Sequence, residues 1–216
     1  MAERDRLRHR LDDGLALLGL DLPDAIRSQL IAYVELLARW NAAYNLTAVR
    51  DPGDMIARHL LDSLAIVPYV SGATLADLGS GPGLPGIPLA LVAPQRQVTL
   101  VDSNGKKARF LREAVRSLKL VNVRVIEGRV QDVPGQFDCV TARAFATLAD
   151  MLDWAGGLLA QDGRWLAMKG KLTDEEIAAV PAGFHIEQVV TLDVPAVEGE
   201  RHLIVVRRAV NEPVSP

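Results

Sequence analysis

The chain has 216 residues, 49% of them hydrophobic and 24% charged, with a formal net charge of −3. That composition suits one full-sized α/β domain, or one carrying a short helical extension, and fits neither disorder nor a coiled coil. A single cysteine, Cys139, excludes an internal disulfide framework and a thiolate-rich metal site, and the scattered histidines (His9, His59, His185, His202) stand at no zinc-ligand spacing, so no metal is expected.

The N-terminal MAERDRLRHR carries charge without the apolar run of a signal peptide, and no stretch reaches the length of a membrane span. A cytoplasmic chain with no membrane partner is expected. The slight acidic excess is unlike an indiscriminate RNA binder, so any RNA footprint has to be local.

Residues 1 to about 70 read as helices. Between Leu22 and Tyr44, Ile26, Leu30, Tyr33, Val34, Leu37 and Trp40 recur at three- and four-residue spacing and form one apolar stripe. Pro23 and Asp24 suit the start of that helix. A second helical stretch runs from about Pro52 to Val70. From Thr74 short apolar runs alternate with amphipathic helices: TLADL, IPLALVA, VTLVD, KKARFLREAVRSLKL, VRVIEG, DCVTARA, LADMLDWAGGLLA and GRWLAMKG. The alternation predicts βαβ units and a parallel sheet covered on both faces. FHIEQVVTLDV and RHLIVVRR close the chain as two strands joined by a Pro-Gly loop, and the tail NEPVSP reads as disordered. The expected fold is therefore α/β and Rossmann-like, with a seven-stranded, mostly parallel sheet covered by helices on both faces, and its terminal hairpin is similar to that of class I methyltransferases rather than dehydrogenases. A helical extension (1–72) precedes the main domain (73–210).

The sharpest motif is LADLGSGPGLPGIPLA, residues 75 to 90. A strand ends at Asp77, and Gly79, Gly81, Gly83 and Gly86 precede a helix. Such glycines let the backbone turn tightly and approach a nucleotide-like ligand. The acidic strand end suits the cationic amino-acid part of S-adenosylmethionine better than the diphosphate of a dinucleotide. Asp102 ends the next strand, where a carboxylate accepts both ribose hydroxyls of an adenosine. A dehydrogenase also fits these two features; they point to an adenosine cofactor more firmly than to which one.

Further motifs carry a specific resemblance: WNAAYNLTAV (40–49), HLLDSL (59–64), VDSNGKKARFL (101–111), ARAF (142–145) and MKGK (168–171), together with the glycine loop. From about Tyr33 to Lys171 the chain resembles the small-subunit ribosomal RNA guanine-N7 methyltransferases, the RsmG family, also known as glucose-inhibited division protein B. The resemblance implies a cytoplasmic monomer that uses S-adenosylmethionine to methylate nitrogen 7 of one guanine in small-subunit (16S) ribosomal RNA or the 30S particle. It implies that Gly79, Ser80, Gly81 and Gly83 cradle the amino-acid end of the cofactor. Asp77, Leu84 and Ser103 belong to the same set, with Asp102 on the ribose. Arg129, Val130 and Gln131, after the third strand, would hold the adenine. Arg143 would reach both cofactor and acceptor, and Lys169 would join it as a catalytic residue on the same carboxyl edge. His59, Asp62 and Ser63 would pack over the site. Two positions depart from the family pattern: Gln131 stands where an acidic residue is usual, with Asp132 adjacent, and Ala142 where serine is usual.

The implied chemistry asks little of side chains. Guanine nitrogen 7 offers an in-plane lone pair and no proton, so alignment rather than general-base catalysis is the task. Arg143 and Lys169 suit a phosphate or the guanine carbonyl oxygen. Candidates for RNA phosphate contact are Arg39, Arg50, Arg58, Lys106, Lys107, Arg109 and Lys171. Trp40 and Tyr44 are candidates for stacking, although the spacing of Trp40 favours the core. Lys106 and Lys107 open a helix, where the dipole disfavours cations. Competing readings are a methyltransferase for a protein or small molecule, a nicotinamide-dependent oxidoreductase and a non-catalytic assembly factor. The oxidoreductase lacks a catalytic tyrosine within the sheet region, since Tyr33, Tyr44 and Tyr69 all precede it.

Overall fold

The computed structural model describes residues 2–143 and 146–209. Ala144 and Phe145 of the ARAF motif, and the NEPVSP tail, lie outside the described residues.

The N-terminal part is helical, as its periodicity predicts: α1 (Ala2–Leu17), α2 (Asp24–Tyr44), α3 (Pro52–Met55), a π turn (Ile56–Leu61) and α4 (Asp62–Leu64). Asp51 caps α3 by accepting the Asp54 N–H at 3.0 Å. The stretch after Pro52 is not a plain α-helix. The Asp62 N–H reaches back to the Ala57 carbonyl, five residues away, and this widened turn changes the phase of the side chains that follow.

Seven strands form one sheet: β1 (Thr74–Leu78), β2 (Gln97–Asp102), β3 (Val123–Glu127), β4 (Phe137–Arg143), β5 (Leu159–Lys169), β6 (Phe184–Thr191) and β7 (His202–Arg208). Their order is β3-β2-β1-β4-β5-β7-β6, with β1 to β5 parallel and β7 antiparallel to both its neighbours. The expected fold class is confirmed, including the terminal hairpin. Four helices follow the sheet order: α5 (Gly86–Val92), α6 (Gly105–Ser117), α7 (Leu148–Ala155) and α8 (Asp174–Ala178). The expected run LADMLDWAGGLLA stops being α-helical at Ala155. Gly156 begins a 3₁₀ turn and β5 starts at Leu159, sooner than expected; paired glycines are poor helix formers. Helix α8 was not expected. Its signal is the Thr-x-x-Glu box at Thr173 and Glu176, where the Thr173 hydroxyl accepts the Glu176 N–H.

Alternation along the strands divides the interior in two. Leu75, Leu100, Cys139, Leu166 and Met168 face one cluster, which also contains Phe110 and Leu111 of α6 and Leu89 of α5. Ala76, Val101, Val140, Trp165 and Ala167 face a smaller cluster closed by Leu148, Met151 and Leu152 of α7. Helices α1 and α2 belong to the larger cluster through Leu7, Leu11, Leu15, Leu30, Val34 and Leu37, so the helical segment shares a core with the sheet domain. Gly14 of α1 lies so close to Leu61 of the π turn that an added Cβ would meet its side chain at 2.2 Å. Trp40 stacks on Tyr44 with centroids 5.1 Å apart and meets Phe110 edge-on at 5.7 Å, the packing role its spacing suggests. Among the described residues no helix is long and apolar enough to cross a membrane.

Because α1 shares the main core, truncating it should weaken the whole unit. Leu11→Ala, at a fully buried site, is expected to cost about 2–5 kcal/mol. Urea denaturation should show one transition at a lower midpoint. A separate early transition with the main one unmoved would show that the helices fold as a detachable layer.

Candidate active site

The sheet order reverses between β1 and β4, and crevices outside the carboxyl ends of strands at such a point are the usual ligand sites of open α/β sheets. A cavity of about 650 Å³ opens there, lined by the loops after β1, β2 and β3 and by Arg143 at the end of β4. Gly79, Ser80, Gly81, Leu84, Asp102, Ser103, Arg129, Val130, Gln131 and Arg143 all line it, which brings together ten of the sequence-derived candidates. Gly79 and Gly81 both have left-handed φ, 64° and 58°, which a residue with a Cβ adopts at a cost.

The loop is held from three sides. Ser80 is stitched to β2, its N–H donating to the Val101 carbonyl (2.9 Å) and its hydroxyl accepting the Val101 N–H (3.1 Å). Asp102 accepts the Gly81 N–H at 2.8 Å and the Asn104 N–H at 2.8 Å, one on each oxygen. A carboxylate has about four acceptor positions, so two remain for a ligand. The third support comes from α2, where the buried Tyr33 hydroxyl donates to the Pro82 carbonyl at 2.7 Å. Tyr33, read from sequence only as part of an apolar stripe, therefore also positions the glycine loop.

Two candidates in the loop do not line the cavity. Gly83 turns the chain into α5, and an added Cβ would meet Ile87 at 2.4 Å. Asp77 lies fully buried beneath the loop, where Oδ2 accepts the Gly86 N–H at 3.0 Å and Oδ1 has no partner. Strand alternation turns Asp77 toward α5, so its contribution to the cavity is made through the loop above it. Burial pushes its carboxyl up to about 7.

Sequence reasoning missed Trp154, a half-exposed α7 residue that lines the same cavity. A large aromatic off the buried face of an amphipathic helix was the available signal. Lys107 also lines the cavity, while Asn104 caps α6 by accepting the Lys106 and Lys107 N–H groups at 3.0 and 3.2 Å. That cap offsets the unfavourable placement of two cations at a helix start.

Arg143 and Lys169 part company. Arg143 pairs in register with Met168, so Lys169, one residue on, points to the opposite face of the sheet. Arg143 turns to the helical side and donates to Asp62 Oδ2 at 3.0 Å and to the Arg58 carbonyl at 3.3 Å. The Lys169 ammonium goes to α8, 2.5 Å from Glu176 and 2.6 Å from the Ala146 carbonyl. Of the two expected catalytic cations, Arg143 lines the cofactor cavity and Lys169 does not. Lys169 and Arg143 instead both border a second cavity, of about 410 Å³, with His59 and Asp62.

His59 and its neighbours explain two motifs. The His59 ring lies between the Arg58 carbonyl, 2.9 Å from Nδ1, and the Thr47 hydroxyl, 2.9 Å from Nε2. Asn41 accepts the Thr47 N–H and donates to the Val49 carbonyl, both at 2.9 Å, so WNAAYNLTAV folds back onto HLLDSL. Burial, then the Arg143 charge, lowers the His59 pKa to about 4, so this imidazole is neutral at physiological pH. Of the RNA candidates, Arg58 borders the second cavity and Arg50 is engaged with Asn45 and the Asn41 carbonyl. Lys106, Arg109 and Lys171 are exposed.

The Asp77 carboxyl gives a pH signature. Its pKa is raised from 3.8 to about 7, so between those values the folded protein holds a proton that the unfolded chain has released. Its favourable contribution is complete below pH 3.8 and falls as pH rises through 7, at up to about 1.4 kcal/mol per pH unit. Asp77→Asn should therefore gain stability relative to the parent as pH rises from 4 to 7. Parallel stability curves in denaturant titrations would show that Asp77 is ionised throughout.

Comparison with known proteins agrees with this geometry. The family model described as rRNA small subunit methyltransferase G matches residues 26–204. A Ribosomal RNA small subunit methyltransferase G from Xanthomonas euvesicatoria is 58% identical over 200 residues, covering 92% of this chain and 93% of the relative. One from Marinobacter nauticus is 54% identical over 202 residues, covering 93% and 94%. Among solved structures, the mitomycin 7-O-methyltransferase MmcR superposes with a TM-score of 0.62 at 14% identity, covering 82% of this chain and 60% of its own. A variant of MtNAS in complex with S-adenosylmethionine gives 0.57 at 20% identity, covering 82% and 75%. At such identities the structural matches establish the fold; the sequence matches, spanning nearly the full chain, place it in the rRNA small subunit methyltransferase G family.

Proposed function

We propose that this chain transfers a methyl group from S-adenosylmethionine to nitrogen 7 of one guanine in small-subunit ribosomal RNA, acting as a cytoplasmic monomer on the RNA or the 30S particle. The observation that carries the reading is the pair of adjoining cavities at the carboxyl edge of the sheet, with Arg143 in the wall of both. The first fits the cofactor: two acceptor positions on Asp102 suit ribose hydroxyls, Gly79 and Gly81 leave the backbone bare, and 129–131 border the far end for the adenine. Gln131 departs from the usual acidic residue, which leaves backbone groups and Arg129 at that end.

When bound, S-adenosylmethionine supplies an electrophilic methyl on a cationic sulfur. The protein's own task is alignment. No general base is needed for guanine nitrogen 7, and His59 is neutral with both ring nitrogens engaged. Positive charge accumulates on the acceptor, and a bare guanidinium at the junction would oppose it. Asp62, 3.0 Å from Arg143, offsets that charge while leaving guanidinium N–H groups free to hold the guanine carbonyl oxygen or a phosphate. Lys169, neutralised by Glu176, shapes the second cavity.

The test is transfer of radiolabelled methyl to small subunits from cells lacking this gene, followed by borohydride-aniline cleavage at guanines methylated on nitrogen 7. One labelled guanine is expected. Arg143→Ala should lose on the order of a hundredfold in rate by misplacing the acceptor, a larger effect than its loss of cofactor affinity from the shared wall. Lys169→Ala should lose less. Labelling of protein or small molecules, with none on RNA, would redirect the reading to those substrates.

A further inference from the structure

The second cavity lies between the π turn, the ends of β4 and β5, and the segment that precedes β7. Its walls combine Met168 and Leu192 with the polar groups of Asp62, Arg143 and Arg201. Asp62 is the unusual member. Its side chain is only 6% exposed. Oδ2 is satisfied by Arg143, but Oδ1, paired with Arg201 Nε at 3.4 Å, is buried and accepts no hydrogen bond. A buried carboxylate oxygen left short of donors is costly in the free protein and is a ready acceptor for a ligand that brings donors.

We infer that this cavity receives the unstacked guanine itself, and that Asp62 reads its Watson–Crick edge; the inference rests on the function proposed above. Guanine presents N1–H and N2–H side by side on that edge, followed around the ring by the O6 and N7 acceptors. A carboxylate, which only accepts, matches the two donors and rejects adenine, whose N1 is an acceptor. The order in the protein runs the same way. Asp62 comes first, then Arg143 3.0 Å away with N–H donors for O6, then the first cavity, which Arg143 also lines and toward which N7 would turn. Met168 and Leu192 supply apolar surface for the ring faces. His59 cannot compete as a reader, because Arg58 and Thr47 occupy both its nitrogens. Taking the base out of its stack is the general solution for enzymes that modify a base, and the deep major groove of paired RNA hides nitrogen 7 otherwise.

Inosine tests the assignment, because it lacks only the exocyclic amine and keeps N1–H, O6 and N7. Small subunits are reconstituted with RNA joined by splinted ligation, bearing guanine or inosine at the position the parent enzyme methylates. The parent kcat/KM should fall on the order of ten- to a hundredfold on inosine, the effect of losing one hydrogen bond to a charged acceptor. Asp62→Asn keeps a carbonyl oxygen for Arg143 but presents an amide. It should be slower on guanine and should distinguish the two bases by less than about threefold, with S-adenosylhomocysteine affinity retained. A merely structural Asp62 would lower both rates and leave their ratio intact, and that result overturns the inference. Equal parent rates on guanine and inosine also overturn it, whether or not the variant folds. No transfer to guanine-bearing subunits would overturn the functional reading and this inference together; transfer without discrimination would overturn this inference alone.

Discussion

The ion pair between Arg143 and Asp62 is the constraint on which the site depends. One partner ends the central strand β4 and the other follows the π turn of the helical segment, so the pair fixes that segment against the carboxyl edge of the sheet. Buried pairs contribute little net stability, because desolvation cancels most of the attraction. Their geometry is another matter. Removing one partner leaves an uncompensated charge, so the arrangement is held in one state. Here that state is a wall with one cavity on each side. Arg201 adds a second, longer contact to Asp62 at 3.4 Å and brings in the segment before β7.

The helical segment is thus more than a cover. It supplies core to the larger face of the sheet, holds the glycine loop through Tyr33 and Pro82, and positions Asp62 through the π turn. Each of these acts at a distance in sequence on groups from β1 to β4. A ligand in the first cavity would meet a loop already stitched by Ser80, Asp102 and Tyr33, so little ordering remains to be done on binding. The acceptor side is built differently. It has one buried carboxylate oxygen that accepts no hydrogen bond although Arg201 pairs with it, a group that a ligand can complete.

Much of this was legible in the sequence. The apolar runs from Thr74 onward identified all seven strands, because they are short, rich in β-branched residues and separated by turn signals, even where the strand is largely exposed as in β6. Glycines 79 and 81 and the aspartate closing the second strand marked the cavity, because few residue types tolerate a left-handed turn beside a ligand. What the sequence did not show was which face a strand-end residue takes. Arg143 and Lys169 end neighbouring strands at the same edge, yet a register offset of one residue sends Lys169 to Glu176. Asp77 misled for a related reason: its place at a strand end suggested contact with a ligand, while alternation buries it under α5. The π turn has no sequence signature, so Asp62 could be placed near the site but not given a neighbour. Trp154 and the Thr173 cap were visible and overlooked.

The central claim is that two cavities joined at Arg143 form one active site, with the cofactor in the first alone. A crystal structure with S-adenosylhomocysteine tests it most directly. The predicted result is ribose hydroxyls on Asp102, adenine beside Arg129 and Gln131, and the second cavity open with the Arg143–Asp62 pair intact. An amino-acid tail filling the second cavity, or a ligand that displaces Arg143 from Asp62, would contradict it.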